Sequence, residues 1–513
     1  MRNAVIYPNH AVRIAAATML AGSLGACAAQ PKDGQLERLR AAEDARPTSV
    51  AGLAPIFGAL RPDSDTALLK VAIRAVGRLQ QSAFVDSLAP FLRHDDHRMR
   101  SEAANAIAQS VQPGSDTVAV AKARELLIAR LTATGPDEGR GVVARSLGRL
   151  PHESPVISQQ VAERIAESVS QAAITVSVCP RDATLVLGAH ADSLSPALLF
   201  GTMHGIYSVA RRARLLGCEA TTLARTALGY RATAAGDTVA WVRELAMLSL
   251  QAANQADTSV LQLALGDADP RVRRLGLRFT RDTPVALAVR LATQGLSDTA
   301  AMVRIDAVRA LTLVRPTQGC DLARRALADS NPHVGTESID AVAAACDAAS
   351  ATRMLDSLVR RLPADTVDGS GSWHAPARAL VPLARLAQAT AAPYVPGFQT
   401  HPVWQVRAAA AGAARASGNT DILLELLRDP DANVREATIT LMAQLAPAMR
   451  ERAVRTGLDA QEYQVVLAAA QAAKEVPTID ARVLAAPLAR LTARRQETSR
   501  DPRHELIDRI AER

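Results

Sequence analysis

Aromatic residues are scarce in this chain: Phe, Trp and Tyr make up 3% of 513 residues, although hydrophobic residues make up 48%. The apolar mass is therefore mainly Ala, Leu and Val. This composition excludes a sheet core filled with bulky rings and favours thin helices packed close together. A chain of this length could form several ordinary domains or one long array of repeats.

The compact motifs of common active sites are also missing. The chain contains no G-x-S-x-G, no P-loop, no H-E-x-x-H and no C-x-x-C. The densest group of possible metal ligands is His94, Asp95, Asp96 and His97. It lies in a repeat turn where Asp96 has a capping role, and no second cluster completes a coordination sphere. The sequence therefore predicts no catalytic residue, no metal and no cofactor.

Basic runs of the kind that bind nucleic acid are lacking as well. The net charge of +8 is modest for the length, and no Lys/Arg run is interleaved with aromatic residues. We expect the charges to lie on solvated helix faces and in Arg–Asp ladders at the repeat turns. Neither a nucleic acid nor a small-molecule substrate is predicted as a partner.

What the chain does contain is a repeated pattern, D-[PX]-x-V-R-x-x-A-x-x-A-L-[AG]-x-L. In its clearest copy, Asp269 is positioned to cap a helix, and Pro270 suits the first helical turn. Val272 begins an apolar face that continues at i+4, i+7 and i+8, and Arg273 follows it. The same positions recur at Asp96 and Arg100, at Asn331, Pro332 and Val334, and at Asp431, Val434 and Arg435. A short apolar helix precedes each copy, so each unit is predicted to be helix A, a turn and helix B.

This pattern resembles the HEAT-repeat family. The resemblance implies an all-α fold, an α-solenoid in which helical hairpins form a right-handed superhelix with a large concave surface that binds protein partners. The predicted apolar anchors of helix B are Leu68, Met99, Val242, Val272, Val303, Val334, Val406, Val434 and Tyr463.

Breaks in the rhythm suggest the organisation of the chain. The predicted segments are a signal peptide (1–26), a tether (27–35), N-terminal repeats (36–109), degenerate repeats (110–235), regular repeats (236–349), a degenerate repeat with a Pro/Gly-containing insertion (350–400) and C-terminal repeats without a cap (401–513). Trp241 and Trp404 fall on or beside repeat turns and are expected to pack in the core. Trp373 follows a Gly/Ser-rich stretch, the most loop-like internal segment, and loops often carry function.

The amino terminus has the layout of a secretory signal. Arg2 and Arg13 precede an apolar run at 14–24 that is too short to span a bilayer. The run ends in Leu24-Gly25-Ala26-Cys27, which resembles the lipobox of bacterial lipoproteins. This implies lipidation of Cys27 and a lipid anchor at the periplasmic face of a membrane. Because Ala rather than Asp stands at position 28, the resemblance favours the outer membrane; an ordinary cleaved signal is the alternative.

Four cysteines follow the signal: Cys179, Cys218, Cys320 and Cys346. Exported proteins meet an oxidising compartment. Cys320 lies at the start of a helix A and Cys346 near the end of the following helix B, and these ends are neighbours in an antiparallel hairpin. We predict the disulfides Cys320–Cys346 and Cys179–Cys218, with free buried thiols as the alternative.

These features predict a membrane-tethered, non-catalytic scaffold that binds an unidentified protein partner. The stretch 498–513 reads as a helix that has only begun, with Leu506, Ile507 and Ile510 as its apolar stripe, which leaves the last hairpin uncapped. Because exported bacterial HEAT lipoproteins can carry a cyclophilin-type domain, a second interpretation is the substrate-binding arm of a peptidyl-prolyl isomerase. A third is a pigment- or cofactor-handling HEAT protein. The HEAT enzyme deoxyhypusine hydroxylase holds iron with four His-Glu pairs, whereas this chain has only His152-Glu153 and His504-Glu505.

Overall fold

The computed structural model describes residues 33–133, 139–170, 195–230, 237–314, 319–363, 372–474 and 481–495. Throughout these ranges the regular secondary structure is helical and no strand occurs. Consecutive helices pair as antiparallel hairpins, and the hairpins stack on one another. The predicted all-α fold and α-solenoid architecture are therefore confirmed.

The chain forms two compact units, Met1–Pro151 and His152–Arg513. The helices of the first unit are α1 (Asp33–Ala45), α2 (Val50–Ala59), α3 (Thr66–Leu79), α4 (Val85–Leu88), α5 (His97–Ser110), α6 (Thr117–Leu131) and α7 (Arg140–Arg149). In it, α2, α4 and α6 are A helices, and α3, α5 and α7 are the B helices that follow them. Helix α5 contacts both α3 and α7, so the B helices form one continuous layer.

The second unit repeats this arrangement over a longer stretch. Its helices are α8 (Pro155–Ser170), α9 (Pro196–Ala213), α10 (Cys218–Leu228), α11 (Asp237–Ala252), α12 (Thr258–Leu265), α13 (Pro270–Arg278), α14 (Val285–Gly295), α15 (Ala301–Val314), α16 (Cys320–Leu327), α17 (Pro332–Ala345), α18 (Ala348–Val359), α19 (His374–Leu386), α20 (Gln388–Ala391), α21 (Val395–Gln399), α22 (Trp404–Ser417), α23 (Thr420–Leu426), α24 (Ala432–Met442), α25 (Pro447–Leu458), α26 (Tyr463–Ala473) and α27 (Ala481–Arg495). The B helices α9, α11, α13, α15, α17, α19, α22, α24 and α26 contact one another in succession.

The apolar anchors explain why each B helix has one buried face. Eight of the predicted anchors, from Leu68 to Val434, are buried. The prediction of Tyr463 as an anchor is wrong, because Tyr463 is only partly buried and Val465 is 1% exposed. The cap of α26 is Glu462, so Val465 stands three residues after its cap, as Val434 does after Asp431. The sequence pattern alone did not identify Glu462 as the N-cap, so the anchor was placed two residues too early.

Small residues let neighbouring helices approach closely. A Cβ on Gly77 of α3 would lie 2.8 Å from Cα of Ala106 on α5, and one on Gly457 of α25 would lie 2.6 Å from Cβ of Ala469 on α26. Real Cβ atoms do not come this near, so both positions need glycine. This close packing is the structural counterpart of the low aromatic content.

The predicted caps behave as expected. Asp96, Asp269, Asn331 and Asp431 each accept a hydrogen bond from the amide two residues later, at 2.8–3.0 Å. These bonds satisfy one of the amides that lack an intrahelical partner in the first turn. Pro270 and Pro332 occupy the first turn of α13 and α17, where no helical donor is lost.

A ladder of ion pairs joins successive turns of the second unit. Arg273 donates from Nη1 to the carbonyls of Asp267 and Ala268 at 2.9 and 2.8 Å, which braces its own turn. Its Nε and Nη2 then reach the carboxylate of Asp298, in the next turn, at 2.7 and 2.8 Å. Each such arginine therefore ties two hairpins together.

The same bidentate geometry recurs along the unit. The rungs are Arg243–Asp267, Arg273–Asp298, Arg304–Asp329 and Arg407–Asp429, with a single-contact pair Arg435–Glu462 after them. The predicted Arg–Asp ladder is thus confirmed, but its acceptors are not the capping residues. The first four acceptors stand two residues before the N-cap residue of their helix. Each of them also accepts a hydrogen bond from the backbone amide of that N-cap residue, at 2.8 Å.

The ladder is not continuous, because some turns lack its acidic acceptor and one B helix lacks its arginine. At two turns the acceptor position holds histidine: Nδ1 of His94 accepts from the amide of Asp96 at 3.0 Å, and Nδ1 of His401 from that of Val403 at 3.1 Å. In the part of the chain that the structure describes, no arginine of the preceding repeat bonds to His94 or His401. At the position after the anchor Val334, the chain has Gly335, so the ladder is interrupted after Asp329.

Removing one carboxylate from the ladder tests its contribution to stability. The side chains of Arg243 and Asp267 are 6% and 0% exposed. We expect Asp267→Asn to lower the opening free energy of α11–α13 by about 3–5 kcal/mol, because it leaves a buried guanidinium without its counter-ion. Native-state hydrogen exchange of these helices measures the effect. The matched control is Asp321→Asn, which removes an exposed pair with Arg324 (82% and 66% exposed) and should cost less than about 1 kcal/mol.

The ladder also predicts how stability depends on pH. The hydrogen bond from Arg304 holds the pKa of Asp329 below its ordinary value of 3.8, although burial acts in the opposite direction. A carboxyl with a lowered folded-state pKa contributes stability that is complete above its unfolded pKa and is lost as the pH falls through the folded pKa. We therefore expect the urea midpoint of the wild type to exceed that of Asp329→Asn at pH 7, and the difference to shrink below about pH 4. A difference that stays constant down to about pH 2 would contradict this assignment.

Candidate functional site on the B helices

The most organised cluster of charges in the second unit lies on the B helices α13 and α15. The carboxylate of Asp306 is 0% exposed and receives Arg274 Nε at 2.8 Å, Arg278 Nε at 3.1 Å and Arg309 Nη1 at 3.2 Å. Arg278 and Arg309 remain 47% and 48% exposed. One buried acid therefore holds three guanidinium groups, and those of Arg278 and Arg309 remain about half exposed.

The charged surface continues onto the next two B helices. Arg309 also donates from Nε to Glu337 of α17 at 2.9 Å. Arg378 of α19 bridges Glu337 at 3.3 Å and Asp340 at 2.8 Å. Burial opposes the charged form of Arg309, but the hydrogen bond from Arg309 to Glu337 and the nearby carboxylates outweigh it, so the pKa of Arg309 is raised.

An aromatic pair, one exposed ring and one half-buried ring, extends the surface onto α11 and α9. Trp241 of α11 is 43% exposed, and its ring lies 5.9 Å from that of Phe200 on α9. Three residues after Trp241, Glu244 faces α13. Burial raises the pKa of Glu244, while Arg271, Arg274 and Arg278 act to lower it. We call the residues Phe200, Trp241, Glu244, Arg274, Arg278, Asp306, Arg309, Glu337 and Arg378 the B-helix surface.

Most residues of the B-helix surface carry no signal in the sequence that marks them as functional. Trp241 was expected in the core, and that expectation is wrong: Ala240 and Val242, on either side of it, are buried, and Trp241 itself points outward. Trp404 is partly buried and packs on the core, as expected. One signal for Asp306 was present, because it stands three residues after Val303, inside the apolar stripe of α15, where an unpaired acid would be costly.

The predicted cysteine sites are placed as follows. Cys320 begins α16, Cys346 caps α17, and the two form a disulfide with a Cα–Cα distance of 4.5 Å. Cys218, at the start of α10, is also disulfide-bonded. Its expected partner Cys179 and the lipidation site Cys27 lie outside the described residues, so both assignments stay predictions.

The possible metal ligands near His94 have structural roles in the turn. His94 and Asp96 are engaged with backbone amides, and the carbonyls of His94 and Asp95 accept Arg100 Nη1 at 2.7 Å. Over the described ranges, His, Cys, Asp and Glu nowhere gather in a group of three or more suited to a metal ion. Within the same ranges, no helix combines the length and apolarity needed to cross a membrane.

Trp373 stands at the start of α19 and stacks on His374 with ring centroids 3.8 Å apart. It is partly buried against the core of the second unit. The stretch that precedes it, residues 364–371, lies outside the described residues.

Comparison with known protein families identifies the repeat. A model described as HEAT repeats matches residues 53–148, and a HEAT repeat model matches residues 420–449. The first match covers α3, α5 and most of α7, and the second covers α23 and α24. No curated protein matches the chain.

Several known structures match most of the chain, all at low identity and with TM-scores below 0.5. A homology model of the full-length AP-3 complex matches with 10% identity and a TM-score of 0.48, covering 94% of this chain and 93% of that chain. Kap95 in complex with Nup1 matches with 10% identity and a TM-score of 0.46, covering 93% and 75%. Importin beta matches with 12% identity and a TM-score of 0.39, covering 89% and 60%.

Proposed function

We propose that this chain is a HEAT-repeat scaffold that binds a protein partner through the B-helix surface. The family assignment is supported by the two HEAT matches, at residues 53–148 and 420–449, and by the stacked helical hairpins. The observation that supports binding at this surface most directly is the combination of exposed Trp241 with the exposed guanidinium groups held by Asp306. Trp and Arg are the side chains that most often dominate the energy of protein interfaces. The concave binding face expected from the sequence is part of this proposal.

Pre-organisation is the physical reason why these arginines suit binding. A free arginine loses rotamer freedom when it contacts a partner, and this loss weakens association. Arg278 and Arg309 are already held by Asp306, and Arg309 also by Glu337. Their unused donors can meet partner carboxylates or carbonyls with less entropy to lose. Glu337 and Asp340 add acceptors, so the surface offers charges of both signs.

Site-specific photo-crosslinking tests the location of the interface. A photoreactive phenylalanine analogue at position 278 or 309 should give a discrete crosslinked product in native cells. The matched control is position 290, an exposed arginine on α14, the A helix of the hairpin whose B helix α15 carries Arg309. We expect crosslinks at 278 and 309 and none at 290, and Trp241→Ala should weaken both by about tenfold. Equal crosslinking at all three positions, or crosslinking at 290 alone, would contradict the proposed surface.

We also propose that the scaffold is tethered to the periplasmic face of a bacterial membrane through lipids on Cys27. The support is the Leu24-Gly25-Ala26-Cys27 sequence after a short apolar run. Several acyl chains on one residue give stable anchoring, whereas a single chain binds only marginally.

Metabolic labelling tests the tether. Cells that express the full chain should incorporate a labelled fatty acid into it and retain it in the membrane fraction. The Cys27→Ser variant should lose the label and the membrane association. Cys346→Ser is the matched control and should keep both, because Cys346 lies in a helical hairpin of the folded array. An unlabelled wild-type chain would contradict the proposal.

A further inference from the structure

A cleft of about 920 Å³ lies within the first unit, between helix α6 and the turn that leads into α5. Its polar lining includes Arg93, His94, Asp95, Arg100 and Arg130. None of its lining residues belongs to the B-helix surface. A ligand for this cleft therefore does not depend on the function proposed above.

Arg100 occupies the ladder position of its repeat but lacks a ladder partner among the described residues. Like Arg273 and Arg304, it donates from Nη1 to the two carbonyls of its own turn, at 2.7 Å each. In those repeats Nε and Nη2 hold a carboxylate. The Nε of Arg100 is buried and has no hydrogen-bond partner among the residues that the structure describes. A buried donor of this kind is costly unless something fills the place.

A second guanidinium faces the same space. Arg130 of α6 lines the cleft, and its pKa is lowered, first by burial and then by the positive charges of Arg100 and Arg140. Among the acids of the lining, Asp86 is paired with Lys122 at 2.5 Å, and Asp95 is exposed at the rim. The inner part of the cleft therefore has an excess of positive charge.

From this geometry we infer that the cleft binds a carboxylate group supplied from outside the repeat, held between Arg100 and Arg130. A carboxylate accepts both Nε and Nη2 of the corresponding arginine in four other repeats, and a carboxylate contacts Nη2 of Arg435 in a fifth. A planar guanidinium matches it with two parallel hydrogen bonds. The source is either an acidic side chain of a peptide or a small free carboxylate, and the two share this chemistry.

The chain itself carries acids at the corresponding place in its sequence. Asp137 stands two residues before Gly139, the cap position of α7, as Asp267 stands before Asp269. Asp137 and Glu138 lie outside the described residues, so the experiment must separate them from an external ligand.

Calorimetric titration of the full chain at low salt tests the inference. The probes are malonate, an acetylated and amidated Gly/Glu peptide, and the same peptide with Gln in place of Glu. We expect the wild type to bind a carboxylate probe and to ignore the Gln peptide. Arg130→Gln should weaken binding by about tenfold, the loss expected for one charge-assisted hydrogen bond. The matched control Arg98→Gln, an exposed arginine on α5 outside the cleft, should bind like the wild type.

Each outcome decides a point. Binding of malonate as tightly as the Glu peptide identifies a small carboxylate as sufficient, and much tighter binding of the peptide identifies an acidic partner segment. Absence of binding in the wild type, or equal weakening by Arg130→Gln and Arg98→Gln, overturns the inference. Binding that appears only when Asp137→Asn and Glu138→Gln are combined also overturns it, because the chain itself would then fill the fork. Circular dichroism of each variant verifies that it folds.

Discussion

The two-pronged ion pair between an arginine of one repeat and an acid of the next is the interaction on which the rest of this array depends. Hairpins made of Ala, Leu and Val bury an apolar face, but apolar burial is not directional. It therefore does little to fix the position of one hairpin along the next. The arginine fork adds direction, because Nη1 braces its own turn while Nε and Nη2 fix the position of the next. A charge-assisted, partly buried pair contributes roughly 1.5–3 kcal/mol, which is large beside the marginal stability of one repeat.

The type of acceptor at each turn depends on whether an arginine of the preceding repeat reaches it. Where an arginine arrives from the preceding repeat, the acceptor is a carboxylate, as in Asp298 and Asp429. His94 and His401 occupy this position where no such arginine bonds to them, and a neutral ring nitrogen suffices to accept the local amide. After Gly335 interrupts the ladder, the hairpin α16–α17 is closed covalently by Cys320–Cys346. Arg100 shows the opposite situation: the arginine is present, but its Nε has no acceptor among the described residues. The same fixed spacing of B helices brings Arg274 and Arg278 of α13 onto Asp306 of α15, and Arg309 reaches Asp306 from one turn further along α15.

Much of the fold could be predicted from the sequence, because caps, apolar anchors and small residues are local signals. Asp269 caps α13 and Val272 is buried as the pattern requires. The ladder acceptors were harder to identify, since Asp267 and Asp269 look equivalent in sequence and only the structure shows which one meets Arg243. The B-helix surface was not predictable, because it depends on which residues of separate helices meet. Trp241 illustrates this: helical spacing placed it beside buried residues but did not show that no helix covers it.

A double-mutant cycle between Arg304 and Asp329 tests the central claim most directly, because this rung is bidentate and partly buried, with side chains 15% and 12% exposed. Replacing each residue by its uncharged analogue, alone and together, isolates their coupling from the contribution of each side chain. If the ladder holds neighbouring hairpins in register, the coupling energy should be about 2 kcal/mol or more, within the range for contacting residues. A coupling below about 0.5 kcal/mol, as for independent sites or an exposed surface pair, would show that apolar stacking alone sets the array.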